Sequence, residues 1–216
     1  MLNERNLKDL LYQEFGRIGK SFSSPKRLEI LDLLSQGPKS VDAIAKNTEM
    51  SVANVSQHLK TLFNSRLVKY KKEGNYVIYE LADEVISDFL IALHALSEKQ
   101  LIQVQQIKEE FLNDHLGLEG IALSDLLSRM EKGEVLLLDV RPKEEYEEAH
   151  IPGAVSIPIE ELGERISSLP TNCDVVAYCR GPYCLMSAEA VKILKSKGIN
   201  AFRMEQGVKE WLQFVK

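Results

Sequence analysis

The sequence predicts two domains of different class: a mainly α domain closed by one β-hairpin, then an α/β domain with a mainly parallel sheet. Three observations carry this. Up to about residue 113, apolar residues recur every three or four positions, as in helices that bury one stripe. Two strand-like runs, 67–72 and 76–81, interrupt that pattern. Beyond about residue 120, short apolar runs near 135–139, 154–157, 174–178 and 200–203 alternate with helical stretches. Charge divides in the same place. Residues 1–82 carry 13 Lys and Arg against 9 Asp and Glu, and the remainder carries 14 against 23. Within a chain of net charge −5, this directs a polyanionic partner to the first half alone.

A chain of 216 residues accommodates two modest cores, and 44% hydrophobic with 27% charged residues is ordinary for a globular protein. No apolar stretch reaches membrane-spanning length, and Met1-Leu2-Asn3-Glu4-Arg5 lacks the apolar core of a signal peptide. Three cysteines, all in the last third, do not make a disulfide framework. The expectation is a cytoplasmic protein with no membrane partner.

The elements follow in order. Residues 4–19 form an amphipathic helix with Leu7, Leu10, Leu11, Phe15 and Ile18 on one stripe. Ser24 caps a second helix, with Pro25 at its first position and an apolar face of Leu28, Ile30, Leu31, Leu33 and Leu34; Gly37-Pro38 ends it. A short third helix runs from Ser40 and a fourth from Ser51. In the fourth, Val52, Val55, Leu59 and Leu62 are spaced to face inward, which leaves Asn54, Ser56, Gln57, His58, Lys60 and Thr61 on the rest of its surface. Glu73-Gly74-Asn75 turns a hairpin with Lys71 and Lys72 near its tip. Helices and hairpin in this order make a winged helix-turn-helix.

The segments Pro-Lys-Arg-Leu-Glu-Ile-Leu (25–31), Val-Ser-Gln-His-Leu-Lys-Thr-Leu (55–62) and Leu-Val-Lys-Tyr (67–70) resemble the ArsR/SmtB family of bacterial transcriptional repressors over residues 15–82. The resemblance implies binding to double-stranded operator DNA. Asn54, Ser56 and Gln57 are the groups suited to base edges, His58 and Lys60 those suited to phosphate, Lys71 and Lys72 those suited to phosphate or the minor groove, and Ser51 completes the DNA-binding set. A long helical pattern over 83–113 is too apolar for a lone surface helix and is expected to pair with its counterpart in a homodimer, which suits reading of two half-sites. The boundaries are 1–114 for this domain, 115–120 for a linker and 121–216 for the second domain.

In the second domain, Tyr178-Cys179-Arg180-Gly181-Pro182-Tyr183-Cys184 joins an apolar run to the start of a helix. A cysteine so placed lies where backbone N–H groups and a helix N-terminus favour the thiolate, and Arg180 adds a positive charge for the thiolate and for an anionic substrate. Leu136-Leu137-Leu138-Asp139-Val140-Arg141-Pro142 and His150-Ile151-Pro152-Gly153-Ala154 upstream of this loop closely resemble the rhodanese family. The resemblance implies a sulfurtransferase that takes sulfane sulfur from thiosulfate or a persulfide onto Cys179 and passes it to a thiol acceptor. Arg180, Gly181, Pro182, Tyr183 and Cys184 then form the substrate loop, with Asp139 and Arg141 supporting it. A phosphatase-like loop needs an Arg six positions after the cysteine, where this chain has Leu185. Cys184 is either a resolving thiol or a packing residue, Cys173 a bystander, and His150 a turn-stabilising residue.

No cofactor and no metal site is expected. Many ArsR/SmtB relatives bind metals, but residues 1–82 contain no cysteine, and His94 with Glu98 is at most part of a nitrogen/oxygen site completed by Asp88 or His115 from the second protomer of a dimer. The reading is a repressor whose rhodanese domain takes up sulfane sulfur on Cys179 and senses persulfide or polysulfide. Its alternatives are a sulfurtransferase tethered to a DNA-binding domain without signalling, and a metal-responsive repressor.

Overall fold

The computed structural model describes residues 4–115, 120–121, 123–170 and 173–214. The chain divides into two compact units, Met1–Ala92 and Leu93–Lys216.

The first unit runs α1 (Glu4–Phe22), α2 (Pro25–Leu34), β1 (Lys39–Ser40), α3 (Val41–Thr48), α4 (Val52–Asn64), β2 (Val68–Glu73), β3 (Tyr76–Leu81) and the start of α5 (Val85–Gln100). Its strands form an antiparallel sheet in the order β1-β3-β2. Gly74 turns the hairpin at φ +58°, a conformation that side chains with a Cβ rarely adopt. Ser40 and Ser51 each accept a backbone N–H three residues on, from Ala43 and Asn54, so both helices of the helix-turn-helix start on side-chain caps. Between them Glu49 ends α3 in the left-handed region at φ 52°, which lets the Met50 N–H reach the Ala45 carbonyl. Arg27 donates to the carbonyls of Ser21 and Lys20 and so satisfies the C-terminal end of α1. The core is built from Ile30, Leu31, Ile44, Val55, Leu59 and Leu62, all fully buried.

Two expectations change here. Val52 is half exposed rather than inward: as the first residue of α4 it stands at the rim, beyond the reach of the α2–α3 core. The α1 stripe of Leu7, Leu10, Leu11 and Phe15 is exposed in the single chain, so its amphipathic pattern is not satisfied by the protomer's own core.

The second unit holds the rest of α5, then α6 (Ile102–His115), β4 (Gly120–Ile121), α7 (Leu123–Glu131), β5 (Val135–Asp139), α8 (Lys143–Glu148), β6 (Val155–Ser156), α9 (Ile159–Arg165) with a 3-10 turn at Ile166–Ser168, β7 (Asp174–Tyr178), α10 (Met186–Ser196), β8 (Ala201–Met204) and α11 (Val208–Phe214). The single helix expected over 83–113 is therefore two, broken at Leu101. Lys108 lies 3.3 Å from Glu98, ten residues earlier, whereas a straight helix would separate them by about 15 Å. Of the expected linker, His115 ends α6, Gly120 opens β4, and 116–119 lie outside the described residues.

The five strands are parallel, in the order β4-β8-β7-β5-β6. Side chains alternate across the sheet and build a core on each face. Val175, Ala177 and Cys179 pack with Leu162 of α9 and Ala190, Val191 and Leu194 of α10. Val176 and Tyr178 pack with Leu126 of α7, Ile151, and Val208 and Trp211 of α11. This three-layer α/β arrangement is the fold class that the sequence predicts. Among the described residues, no helix is long and apolar enough to cross a membrane.

Candidate active-site loop and nucleic-acid-facing helix

Cys179 is the first residue after β7, at the carboxyl edge of the parallel sheet, where crossover topology leaves a crevice for ligands. It continues the alternation of Val175 and Ala177, so its side chain turns toward α10 and is 1% exposed. The loop closes on itself through the Cys184 N–H to the Gly181 carbonyl at 3.2 Å. Gly207 fixes where it can lie: a Cβ there would stand 2.7 Å from the Arg180 carbonyl carbon and oxygen and 2.9 Å from the Cys179 oxygen. Only a glycine lets the β8–α11 connection press against the loop backbone this closely.

The sulfur is surrounded by hydrogen-bonding groups. Sγ lies 3.2 Å from the Ser187 hydroxyl and 3.6 Å from the Cys184 carbonyl. Burial alone would push the Cys179 thiol up. Hydrogen bonds from the Cys184 thiol, the Ser187 hydroxyl and the Ser187 and Gly181 backbone N–H groups outweigh that and bring its pKa down from 9.0 to about 6. The Cys184 thiol moves the other way, raised by its hydrogen bond to Cys179 and by burial, so it stays protonated as a donor. The Ser187 N–H belongs to the first turn of α10, so the positive end of an 11-residue helix faces the sulfur.

Two guanidinium groups hold the loop. Arg203 of β8 donates from Nε to Ser187 Oγ at 3.2 Å and from Nη2 to the Pro182 carbonyl at 2.5 Å. Arg180 donates to both oxygens of buried Glu145 in α8, Nε to Oε2 at 3.0 Å and Nη2 to Oε1 at 2.7 Å. The half-exposed Tyr183 donates to Glu98 at 2.7 Å, and its ring lies edge-on to His94. Burial would raise the Glu98 carboxyl, but the hydrogen bonds from Tyr183 and Lys108 outweigh it and hold it low.

Asp139 and Arg141 bind each other, and Asp139 also hydrogen-bonds the hydroxyl of Tyr178, the residue before Cys179. Arg141 Nε lies 3.0 Å from one Asp139 oxygen and Nη2 2.6 Å from the other, and Nη2 also donates to the Ala149 carbonyl. The Tyr178 hydroxyl accepts the Ile151 N–H, so the pair and the tyrosine tie the end of β5 to the 149–154 turn. His150 stacks on Tyr146 and hydrogen-bonds its carbonyl.

In the first unit, Ser51, Asn54, Ser56, Gln57 and Lys60 are exposed along α4, and Lys71 and Lys72 are exposed on β2. The Ser51 side chain caps the helix, Ser56 donates to the Val52 carbonyl, His58 is half-buried, and Lys71 pairs with Glu73 at 2.9 Å. This leaves Asn54, Gln57, Lys60 and Lys72 as the long side chains of the set with most freedom to reach outward.

Residues 24–70 match the family described as "Bacterial regulatory protein, arsR family", and residues 122–214 match "Rhodanese-like domain". The "HTH-type transcriptional regulator Rv0324" of Mycobacterium tuberculosis is 38% identical over 211 residues, covering 98% of this chain and 92% of that protein. The chain belongs to the ArsR family, in the form that carries a C-terminal rhodanese-like domain. Over its first part, this ArsR-family regulator is also similar to two staphylococcal proteins. One is the "Arsenical resistance operon repressor" of Staphylococcus xylosus, 39% identical over 35% of this chain and 72% of that protein. The other is a "Cadmium resistance transcriptional regulatory protein CadC homolog" of Staphylococcus aureus, 36% identical over 40% of this chain and 74% of that protein. Among the described residues of this regulator, no group of three or more His, Cys, Asp or Glu could hold a metal ion.

Of the loop residues expected from sequence, Gly181 and Cys184 meet the sulfur, while Arg180, Pro182 and Tyr183 are turned to Glu145, Arg203 and Glu98. Sequence reasoning missed the roles of Ser187, Arg203, Glu145 and Gly207. Ser187 left a signal, a hydroxyl in the first turn of a helix whose start was expected, and Glu145 lies in the Glu144-Glu145-Tyr146 segment between the two rhodanese-like motifs; Arg203 and Gly207 reach the loop only through the folded sheet.

Proposed function

We propose that this ArsR-family protein is a sulfane-sulfur-responsive repressor that binds operator DNA as a homodimer and loads sulfur on Cys179. The observation that carries the reading is a buried cysteine at the carboxyl edge of the sheet whose pKa is brought down to about 6 by four converging donors. In a persulfide donor R–S–SH the Cys179 thiolate attacks the outer sulfur, the S–S bond breaks and RS⁻ leaves, giving Cys179–S–SH. A thiol acceptor can remove that sulfur by the same chemistry in reverse. Cys184 offers a second outcome: the Cys179 persulfide anion takes the Cys184 proton, the thiolate so formed attacks the inner sulfur, the outer sulfur leaves as HS⁻, and an intraloop disulfide remains. Closing it draws Cys184 toward Cys179 and strains the start of α10.

The exposed stripe of α1 and the exposed Leu96 of α5, Leu101 at the break and Ile107 of α6 support self-association. A dimer places two α4 helices on successive half-sites. Coupling of about 1–3 kcal/mol between loop and DNA changes affinity roughly 5–150-fold. Titration of operator DNA with reduced and persulfide-treated protein checks this, with release on treatment as the expected direction. Loss of the response in Cys179→Ser supports the reading. Equal affinity before and after treatment, with Cys179 shown loaded by mass spectrometry, leaves a tethered sulfurtransferase instead.

The DNA-facing residues separate by class. Lys60→Ala or Lys72→Ala is expected to weaken binding to all sequences and to lower the salt slope by about one phosphate each. Asn54→Ala or Gln57→Ala is expected to relax base preference, by roughly 1–3 kcal/mol where the contact is bidentate. Binding isotherms on a randomised operator at several salt concentrations measure both; four unaltered variants would place the interface elsewhere.

A further inference from the structure

The cation that the sequence offers to an anionic donor is already taken. Arg180, the residue after the nucleophile, forms a two-pronged pair with Glu145, whose side chain is 2% exposed. This is the geometry in which a guanidinium binds a carboxylate most firmly, and it uses the same edge that would grip a sulfonate group. The second guanidinium, Arg203, is buried and turned to the Pro182 carbonyl and Ser187.

Two further carboxylates stand at the loop. Glu210 accepts the Gly207 N–H at 2.8 Å, and its second oxygen lies 3.5 Å from where a Cβ on Gly181 would stand. Glu98 accepts the Tyr183 hydroxyl. Among the described residues, three carboxylates therefore touch the loop or its guanidinium, and the cations beside them are engaged: Arg180 by Glu145, Lys108 by Glu98, and Arg203 by the Pro182 carbonyl and Ser187. Thiosulfate would bring a dianion to a thiolate already bearing one charge, and it would leave as sulfite, again a dianion. A hydropersulfide reacts in its protonated form, R–S–SH, whose sulfurs bring no charge to the thiolate.

Building on the sulfur-loading reading above, we infer that Cys179 takes its sulfur from small organic hydropersulfides or polysulfides and discriminates against thiosulfate, with Glu145 as the specificity-determining residue acting through Arg180. With the preferred donor, Cys179–S⁻ and R–S–SH give Cys179–S–SH and RS⁻. With thiosulfate, Cys179–S⁻ and S–SO3²⁻ give Cys179–S–S⁻ and SO3²⁻, three negative charges gathered at the loop throughout. Glu145 touches no reacting atom; it sets whether the charge of Arg180 is available to one.

The test is a donor comparison on the full-length native protein. Persulfidation of Cys179 by glutathione persulfide and by thiosulfate is followed by mass spectrometry, and each rate constant is divided by that of the same donor with free cysteine. This removes the intrinsic reactivity of the donors. The normalised preference for the persulfide is expected to be at least about tenfold, and Glu145→Gln, which keeps the shape and removes the charge, is expected to raise the thiosulfate-to-persulfide ratio by about tenfold. Glu210→Gln, at a half-buried position, is expected to move the ratio the same way by less, and it keeps the question open to test if Glu145→Gln does not fold. A purely structural role for Glu145 would lower both rates together and leave the ratio unchanged, which overturns the inference. So does a native protein that prefers thiosulfate, while sulfur loading itself stands. Failure of both donors to load Cys179 removes the loading reading and this inference with it.

Discussion

Alkylation of Cys179 is expected to rise with pH through a midpoint near 6 and to be close to its plateau at neutrality, where an ordinary cysteine of pKa about 8.5 is still mostly thiol. The sign follows from the lowered pKa: below the midpoint the sulfur is protonated and inert, above it the thiolate is the populated form. Burial opposes this, so the effect rests on the donors. Ser187 is the one held in place by a neighbour. Arg203 Nε donates to Ser187 Oγ, and because the thiolate has no proton to give, the Ser187 hydroxyl is the donor to it. A hydrogen bond to a charged group contributes about 1.5–3 kcal/mol, and one pKa unit corresponds to about 1.36 kcal/mol. Ser187→Ala is therefore expected to move the midpoint up by about one to two units, with slower persulfide transfer at neutral pH. Iodoacetamide kinetics against pH, read by mass at Cys179, measure this, and Cys179→Ser is expected to abolish both labelling and transfer. An unmoved midpoint in Ser187→Ala would assign the lowered pKa to Cys184 and the helix terminus alone.

Arg141→Ala is expected to destabilise the second unit by about 3–5 kcal/mol, because it leaves the Asp139 carboxylate, 0% exposed, without its guanidinium. The loss includes the Arg141 bond to the Ala149 carbonyl, so the 149–154 turn loosens with it. Removing both charges in Asp139→Val with Arg141→Met is expected to be less damaging than removing the arginine alone, since no buried charge is then left over. Denaturant unfolding followed by Trp211 resolves this. It is the single tryptophan of the chain and packs with Ile151 and Tyr178 in the same core, so it reports this unit and not the winged domain. A change below about 1 kcal/mol in Arg141→Ala would show that the pair is not what holds the end of β5.

The α/β half was legible because its signals are local and repeated. Apolar runs at 135–139 and 174–178 read as strands and are strands, and the cysteine after the second run falls at the edge of the sheet. The helix starts at Ser40 and Ser51 were legible for the same reason, since a cap is decided by residues three apart, whereas Ser24, read as the cap of α2, makes no side-chain capping bond. Two-residue strands such as β1 and β4 were not, because two residues have no period, and they are strands only by virtue of the neighbour that pairs with them. The break at Leu101 was hidden by an apolar spacing that runs through it.

Sequence by itself determined the order of elements, the two fold classes, and which cysteine sits between a strand and a helix N-terminus. These depend on hydrophobic period, turn chemistry and short motifs, all of which act within a few residues. Only the tertiary structure decided what that cysteine and its arginine meet. Arg180 pairs with Glu145 across 35 residues and Arg203 reaches Ser187 across 16, so the charge offered to a substrate and the proton offered to the sulfur are set by which strands lie side by side. Electrostatics acts through space at a few ångströms, and no spacing along the chain encodes that distance until the parallel sheet has brought β5, β7 and β8 together.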